Sequence, residues 1–360
     1  MISKQPKSQL PPQSQETVAS SNSIESDESG DPDPSDHQPN ELSLLNIFEN
    51  VFCTQAYLAQ NIDYSDDCAS FSLNQDQAQI VVTTDAICEG THFDCLWDSF
   101  EDIGAQAAVA NLSDLASCAA QARALFWSLS LPPQLTLQQI KDLAKGFERV
   151  ASHYHVPVLG GNTVIRAGKL EIHVTAIGEA YPKAVKRQGA QVGDLVYVTG
   201  YLGSRALGYL DPNPETRSKR HQWYPHLNEA TLIRAWGKAT AMMDISDGLL
   251  LDANRLAQVN QIHIDLKESC LPIDPELQDH PMIRQAALSG GEDYILLFTA
   301  PPQAHLPKEL AAFAIGTCLA LKSEQHSSTN PHIQKSKTQV TIDGQYIEKL
   351  GHLYRLEGQS

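Results

Sequence analysis

Between Glu101 and Ala122 the chain reads EDIGAQAAVANLSDLASCAAQA, a helical stretch built almost wholly from small residues. A helix this poor in large side chains stabilises a fold only by letting other elements approach closely. The runs on either side read as strands. IVVTTDAI (Ile80–Ile87) is rich in β-branched residues and ends in polar groups, and ALFWSLSLP is apolar and closed by Pro132.

A second helix follows in LTLQQIKDLAKGFERVASHYH. Leu137, Ile140, Leu143, Phe147, Val150 and Tyr154 fall on one face, and Thr136 with Gln139 forms a capping-box start. In KLEIHVTAIGEA, alternation points Leu170, Ile172, Val174 and Ala176 to one side of a strand. The pattern restarts near Gly193 with the strand DLVYVTG, a glycine turn, and a helix from about Ser204. Strands and helices mix without a strict βαβ repeat, which predicts an α+β fold. The domain boundary is expected at residues 179–190, giving domains at 41–180 and 181–356. Asp211–His226 and Lys322–Lys337 read as polar surface loops.

Residues 1–40 hold seven acids (Glu16, Glu25, Asp27, Glu28, Asp31, Asp33, Asp36) against Lys4 and Lys7, in a Ser/Pro/Gln-rich setting. Such a segment buries too little apolar surface to offset chain entropy and is expected to be a disordered acidic tail, with order beginning near Glu41. The formal charge of −17 argues against nucleic-acid binding, which needs a basic face. No apolar run is long enough to span a membrane, and the polar N-terminus lacks the apolar core of a secretory signal. Seven cysteines, without a C-x-x-C pair, fit neither a disulfide framework nor a zinc knuckle and point to a reducing cytoplasm.

Six stretches put carboxylates or glycines at the ends of apolar elements: SDDCAS (Asp66, Asp67), TTDAICEGTHF (Asp85, Glu89, His92), NLSD (Asp114), GGNT (Asn162), DISDGL (Asp244, Asp247) and GGED (Glu292, Asp293). Each alone is what a helix cap also supplies. Together they point to carboxylates converging on hard, oxygen-liganded cations, the habit of Mg²⁺ in phosphate chemistry. If DISDGL opens a helix, Asp244 and Asp247 share a face, and Ser246 with the helix-start N–H groups can bind phosphate. The alternative is plain capping around Ser246 and Asp247. The glycine pair of GGNT, following the β-type run His155–Leu159, reads as a turn open to close approach. The glycines of VTGYLGSRALG do not fit a dinucleotide fingerprint, and there is no P-loop. His153 and His155 are weak metal candidates at a helix-to-strand transition.

In this order the motifs resemble the thiamine-monophosphate kinase family, of the aminoimidazole-ribonucleotide synthetase superfamily. The resemblance runs from about Leu42 to Tyr354 through DDCAS, TTDAICEGTHF, AVANLSDLASCAA, GGNT, KRQGAQVGDLVYVTGYLG, AMMDISDGL and LSGGEDYILLFT. It implies a two-domain α+β architecture in which a mixed α/β N-terminal domain forms homodimers. It also implies transfer of a phosphoryl group from ATP to thiamine monophosphate, with several Mg²⁺ ions. By position, Asp67, Thr83, Thr84, Asp85, Asp114, Asn162, Asp244 and Asp247 would be metal ligands. Gly161, Asn162, Arg187 and Ser246 would meet ATP, and His92 and Glu292 the thiamine monophosphate. Three features depart from the family pattern: Asp63 and Ser65 replace glycines, the stacking aromatic falls at His352 or Tyr354, and Asn162 replaces an aspartate. Two rival readings are a catalytically silent ATP-binding homologue and a superfamily enzyme with another acceptor.

Overall fold

The computed structural model describes residues 68–71, 78–211, 213, 216, 224–321 and 338–347, all within one compact unit spanning Thr54–Ser360. The acidic tail, the helix expected after Glu41, Asp63, Ser65, Asp66, Asp67, His352, Tyr354 and the Lys322–Lys337 loop lie outside the described residues, as does most of Asp211–His226.

The first sheet has five strands in the order β1 (Ala69–Phe71), β2 (Gln79–Cys88), β5 (Glu171–Ala180), β3 (Gln121–Leu131), β4 (Val158–Ile165). Its pairs are antiparallel except β3 with β4, which α2 (Leu137–His153) connects as a crossover. Register sorts the side chains. Val81, Thr83 and Ile87 share one face with Ile172, Val174, Ala176, Leu125 and Leu129, and all eight are buried. That face carries α1 (Phe100–Ser117) and α2; Trp127 meets Phe147 of α2 at 5.0 Å between ring centres.

The two helices differ for a physical reason. α2 is amphipathic, begins at the expected capping box, and buries Leu143, Phe147 and Val150; Leu137 falls outside the contact and is 77% exposed. In α1, 14 of 18 residues are buried. It packs on the first sheet, on α2, on α4 (Leu227–Trp236) and on β7 (Ala241–Asp244), so it has no solvent face to make polar. The α1–α2 crossing runs over two glycines. A Cβ on Gly104 would sit 1.9 Å from the Leu143 carbonyl oxygen, and one on Gly146 would sit 1.7 Å from that of Glu101.

The second sheet has seven strands in the order β12 (Gln345–Tyr346), β11 (Val340–Ile342), β8 (Ile262–Leu266), β10 (Phe313–Ala320), β6 (Leu195–Val198), β9 (Leu296–Ala300), β7. Only β11 with β8 is parallel. Further helices are α3 (Ser204–Leu210), α5 (Leu249–Asn260) and α6 (Ile283–Ser289). One apolar cluster runs from Val81 and Leu125 through α1 to Met242, Leu296 and Phe298, which makes the α+β core continuous between the sheets. Among the described residues no helix is long and apolar enough to cross a membrane.

Two local expectations need correction. GGNT is not a turn: it lies inside β4, with Gly161 opposite Trp127, where a Cβ would sit 1.7 Å from the Trp127 carbonyl oxygen. DISDGL does not open a helix at Asp244. That residue ends β7, and the helix begins at Leu249 after Gly248, whose φ of 108° suits glycine.

Candidate functional site

α1 places consecutive residues toward different sheets, because each helical residue turns about 100° from the last. Ser113 Oγ donates to Asp244 Oδ2 at 2.6 Å, across to the end of β7. Its neighbour Asp114 accepts at Oδ2 from Thr83 Oγ1 of β2, at 2.5 Å. Asp244 is 1% exposed, so Ser113 holds a carboxylate that has left water almost completely. Asp85 follows Thr83 by two and projects from the same face, accepting from the Ala86 N–H at 2.7 Å. Desolvation raises the Asp85 carboxyl above its ordinary range. Asp247 pushes it the same way, while the Ala86 N–H and His92 oppose the rise.

The loop after β7 is organised by Asp252, one turn into α5. Its Oδ2 accepts from the Ser246 N–H at 3.1 Å and the Asp247 N–H at 2.9 Å. These two N–H groups, expected from the sequence to face phosphate, are turned inward instead. Arg255 Nη1 bridges Asp247 Oδ2 and Asp252 Oδ1. Burial pushes the Asp252 carboxyl up to about 7, with Asp247 adding to the rise and Arg255 and Arg187 opposing it. Arg187 is thus within electrostatic reach of this loop. Its carbonyl accepts from Asn260 Nδ2 at 2.7 Å, and Asn260 Oδ1 takes the Gly189 and Ala190 N–H groups.

On the other flank stand His92 and Glu292. His92 Nδ1 accepts from the Cys88 N–H at 3.0 Å, so the proton of the neutral ring sits on Nε2. Glu292 has φ of 64°, a left-handed conformation that a non-glycine residue holds only under constraint. The constraint is visible. Its N–H donates to the Ser246 carbonyl at 2.7 Å, its carbonyl accepts from Arg205 Nη1 at 3.0 Å, and the Tyr294 N–H donates to the Ile245 carbonyl at 2.8 Å. Asp293 between them accepts from the Gly203 N–H with both oxygens, and Arg205 lies over the Tyr294 ring at 5.5 Å.

The structure therefore gathers Thr83, Asp85, Asp114, Asp244, Asp247, Ser246, Arg187, His92 and Glu292. It sets Thr84 and Asn162 apart. Thr84 projects from the opposite sheet face, where its hydroxyl donates to the Val174 carbonyl at 3.0 Å. The row Ala86, His173, Ser128, Asn162 crosses that same face, putting Asn162 three interstrand steps, about 14 Å, from the β2 row. Gly161 lies beside it on exposed β4. Glu89 is structural, accepting from the Leu170 N–H. Sequence reading missed Gln106, Arg205, Tyr209, Asp252 and Arg255; of these only the i,i+3 spacing of Asp252 and Arg255 carried a signal. Among the described residues no group of three or more His, Cys, Asp or Glu side chains is arranged to hold a metal ion. A separate cavity of about 570 Å³, lined by Gln79, Lys183, Lys186, Arg234 and Thr240, shares no residue with this site.

Residues 65–180 match the family model "AIR synthase related protein, N-terminal domain". The thiamine-monophosphate kinase of Haemophilus influenzae is 30% identical over 320 residues, covering 84% of this chain and 95% of that protein. That of Bacillus subtilis is 33% identical over 252 residues, covering 66% and 77%. Among solved structures, AaThiL complexed with AMPPCP and TMP is 28% identical, with a TM-score of 0.73, covering 87% of this chain and 96% of that one. The shared length, the two-sheet fold and the carboxylates contributed by β2, α1 and β7 agree: the chain belongs to the thiamine-monophosphate kinase family.

Proposed function

We infer that this chain phosphorylates thiamine monophosphate with ATP, giving thiamine diphosphate. The observation that carries the reading is the alignment with thiamine-monophosphate kinases over most of both chains. The acceptor is itself a phosphate, already ionised near neutral pH, so an oxygen of thiamine monophosphate attacks the γ-phosphorus in line without a general base. The protein's part is positioning and charge.

The donors fit Mg²⁺. Asp85, Asp114, Asp244 and Asp247 offer hard oxygens, and the Asp85–Asp247 repulsion is a conflict that a divalent cation relieves. These residues would hold Mg²⁺, which would supply neutralisation of phosphate charge there. Thr83 and Ser113 orient two of the carboxylates. Asp67 is assigned to the same set by its motif. Arg187 and Ser246 flank the loop that would face ATP, and His92 and Glu292 take the acceptor. Residues 41–180 and 181–356 are read as two domains, the first sheet closing at Ala180 and the second starting at Leu195.

The chain is further read as a homodimer. β4 is an edge strand, and Leu159, Val164 and Ile165 on it are 62%, 46% and 71% exposed. A second copy against this edge would cover them and bring Gly161 and Asn162 to an interface rather than to the carboxylates of their own chain. A cytoplasmic location is supported by six described cysteines, all free thiols.

The test is product formation. Purified protein is incubated with Mg²⁺, ATP and either thiamine monophosphate or thiamine, and products are separated by chromatography. Thiamine diphosphate from the monophosphate alone supports the reading. No product, with ATP still bound, sinks it in favour of a silent homologue.

A further inference from the structure

Two residues outside the motifs, Gln106 and Tyr209, converge on the same pair of acceptor-side groups from different helices. Gln106, on α1 and 2% exposed, places Nε2 3.2 Å from the His92 carbonyl oxygen and 3.0 Å from Glu292 Oε1. Its amide carries two hydrogens and can donate to both at once. The Tyr209 hydroxyl, on α3, lies 2.7 Å from Glu292 Oε2 and 3.1 Å from the His92 carbonyl oxygen. A phenol has a single proton, and the shorter contact to the charged oxygen takes it.

We propose that Tyr209 and Gln106 are positioning residues for the acceptor, fixing the Glu292 carboxylate and the His92 segment in one geometry. The proposal rests on the reading that Glu292 and His92 meet thiamine monophosphate. Each carboxylate oxygen accepts from a neutral donor, while Arg205 donates to the Glu292 backbone carbonyl and attracts the carboxylate only through space. Neutral donors fix the direction of a carboxylate without cancelling its charge. That suits an acceptor which carries a thiazolium cation and an amino group. The strained backbone at Glu292 points the same way, because the surrounding bonds hold that residue where it would not rest unaided. A loosened Glu292 weakens ground state and transition state alike, so the expected signature is KM rather than kcat.

The test is steady-state kinetics with each substrate varied in turn, on wild type, Tyr209→Phe, Gln106→Met, Glu292→Gly and the Tyr209→Phe/Glu292→Gly double variant. Glycine is chosen because it accepts the left-handed backbone. Tyr209→Phe and Gln106→Met should each raise KM for thiamine monophosphate about tenfold, leaving KM for ATP within about twofold. In the Glu292→Gly background the Tyr209→Phe change should have no more than about a twofold effect, since its target is gone. Equal rises in both KM values, no rise at all, or the full tenfold effect surviving without Glu292 would each overturn the proposal. If Glu292→Gly itself keeps the wild-type KM for thiamine monophosphate, the acceptor assignment fails and the proposal with it, while the kinase reading stands on product formation. Should the wild type give no product, calorimetric titration with thiamine monophosphate supports the same comparison, Kd replacing KM; absence of binding would overturn both.

Discussion

Ser113 and Asp244 lie 131 residues apart and share a 2.6 Å hydrogen bond that ties α1 to the end of β7. The bond orients a carboxylate that is 1% exposed, so its loss should be felt in both stability and chemistry. Ser113→Ala should cost about 1–3 kcal/mol in denaturant unfolding. Asp244→Asn keeps an acceptor for the Ser113 hydroxyl but loses the charge. It should unfold close to wild type while product formation falls by about 100-fold. A variant that unfolds normally and turns over normally would remove Asp244 from the site.

The α1–α2 crossing has no room for a methyl group. Gly146→Ala would place a carbon 1.7 Å from the Glu101 carbonyl oxygen, so the helices must separate and unpack Phe147 and Leu143. We expect a loss of about 3 kcal/mol, read as a shift in the denaturant midpoint at unchanged slope. An unchanged midpoint would mean that the helices are not in this contact.

Asp293 gives a pH dependence of definite sign. Burial pushes its carboxyl up to about 7, opposed by the Gly203 N–H and Arg205, against an ordinary value of 3.8. Between those values the folded chain keeps a proton that the unfolded chain has lost, so this group lowers stability as pH rises from about 4 to about 7. Asp293→Asn should flatten the fall in Tm across that window, leaving whatever slope Asp252 contributes, since its carboxyl is raised in the same sense. An equal fall in wild type and variant would show that Asp293 does not titrate there.

Asn162 lies on the open face of the first sheet, about 14 Å from the β2 row that carries the carboxylate Asp85. If the proposed homodimer places Asn162 at a metal between two copies, an added charge there should tighten Mg²⁺. Asn162→Asp should lower the Mg²⁺ concentration for half-maximal activity by about tenfold, with thermal stability unchanged. A titration identical to wild type would remove Asn162 from the metal set.

Much of this was legible because local chemistry announces itself. The capping box and single apolar face of α2 exist whatever surrounds it, and Asp85, Asp114 and Asp244 stand out as carboxylates at the ends of apolar elements. What was not legible depends on distant partners. Gln106 sits in an alanine-rich run with no punctuation, and its contact with Glu292 is 186 residues away. GGNT reads as a turn until β3 is seen beside β4, a parallel pairing that no local pattern specifies. Asp252 reads as an ordinary helix acid, although it shapes the loop that presents Asp247.

The most direct measurement is transfer of label from γ-³²P-ATP, with Mg²⁺ and thiamine monophosphate, by wild type and Asp244→Asn in parallel. The account predicts one labelled thiamine diphosphate for each ATP consumed by wild type, and a loss of about 100-fold in the variant. Label released as free phosphate at the same rate with or without acceptor, or equal transfer by both proteins, would contradict it.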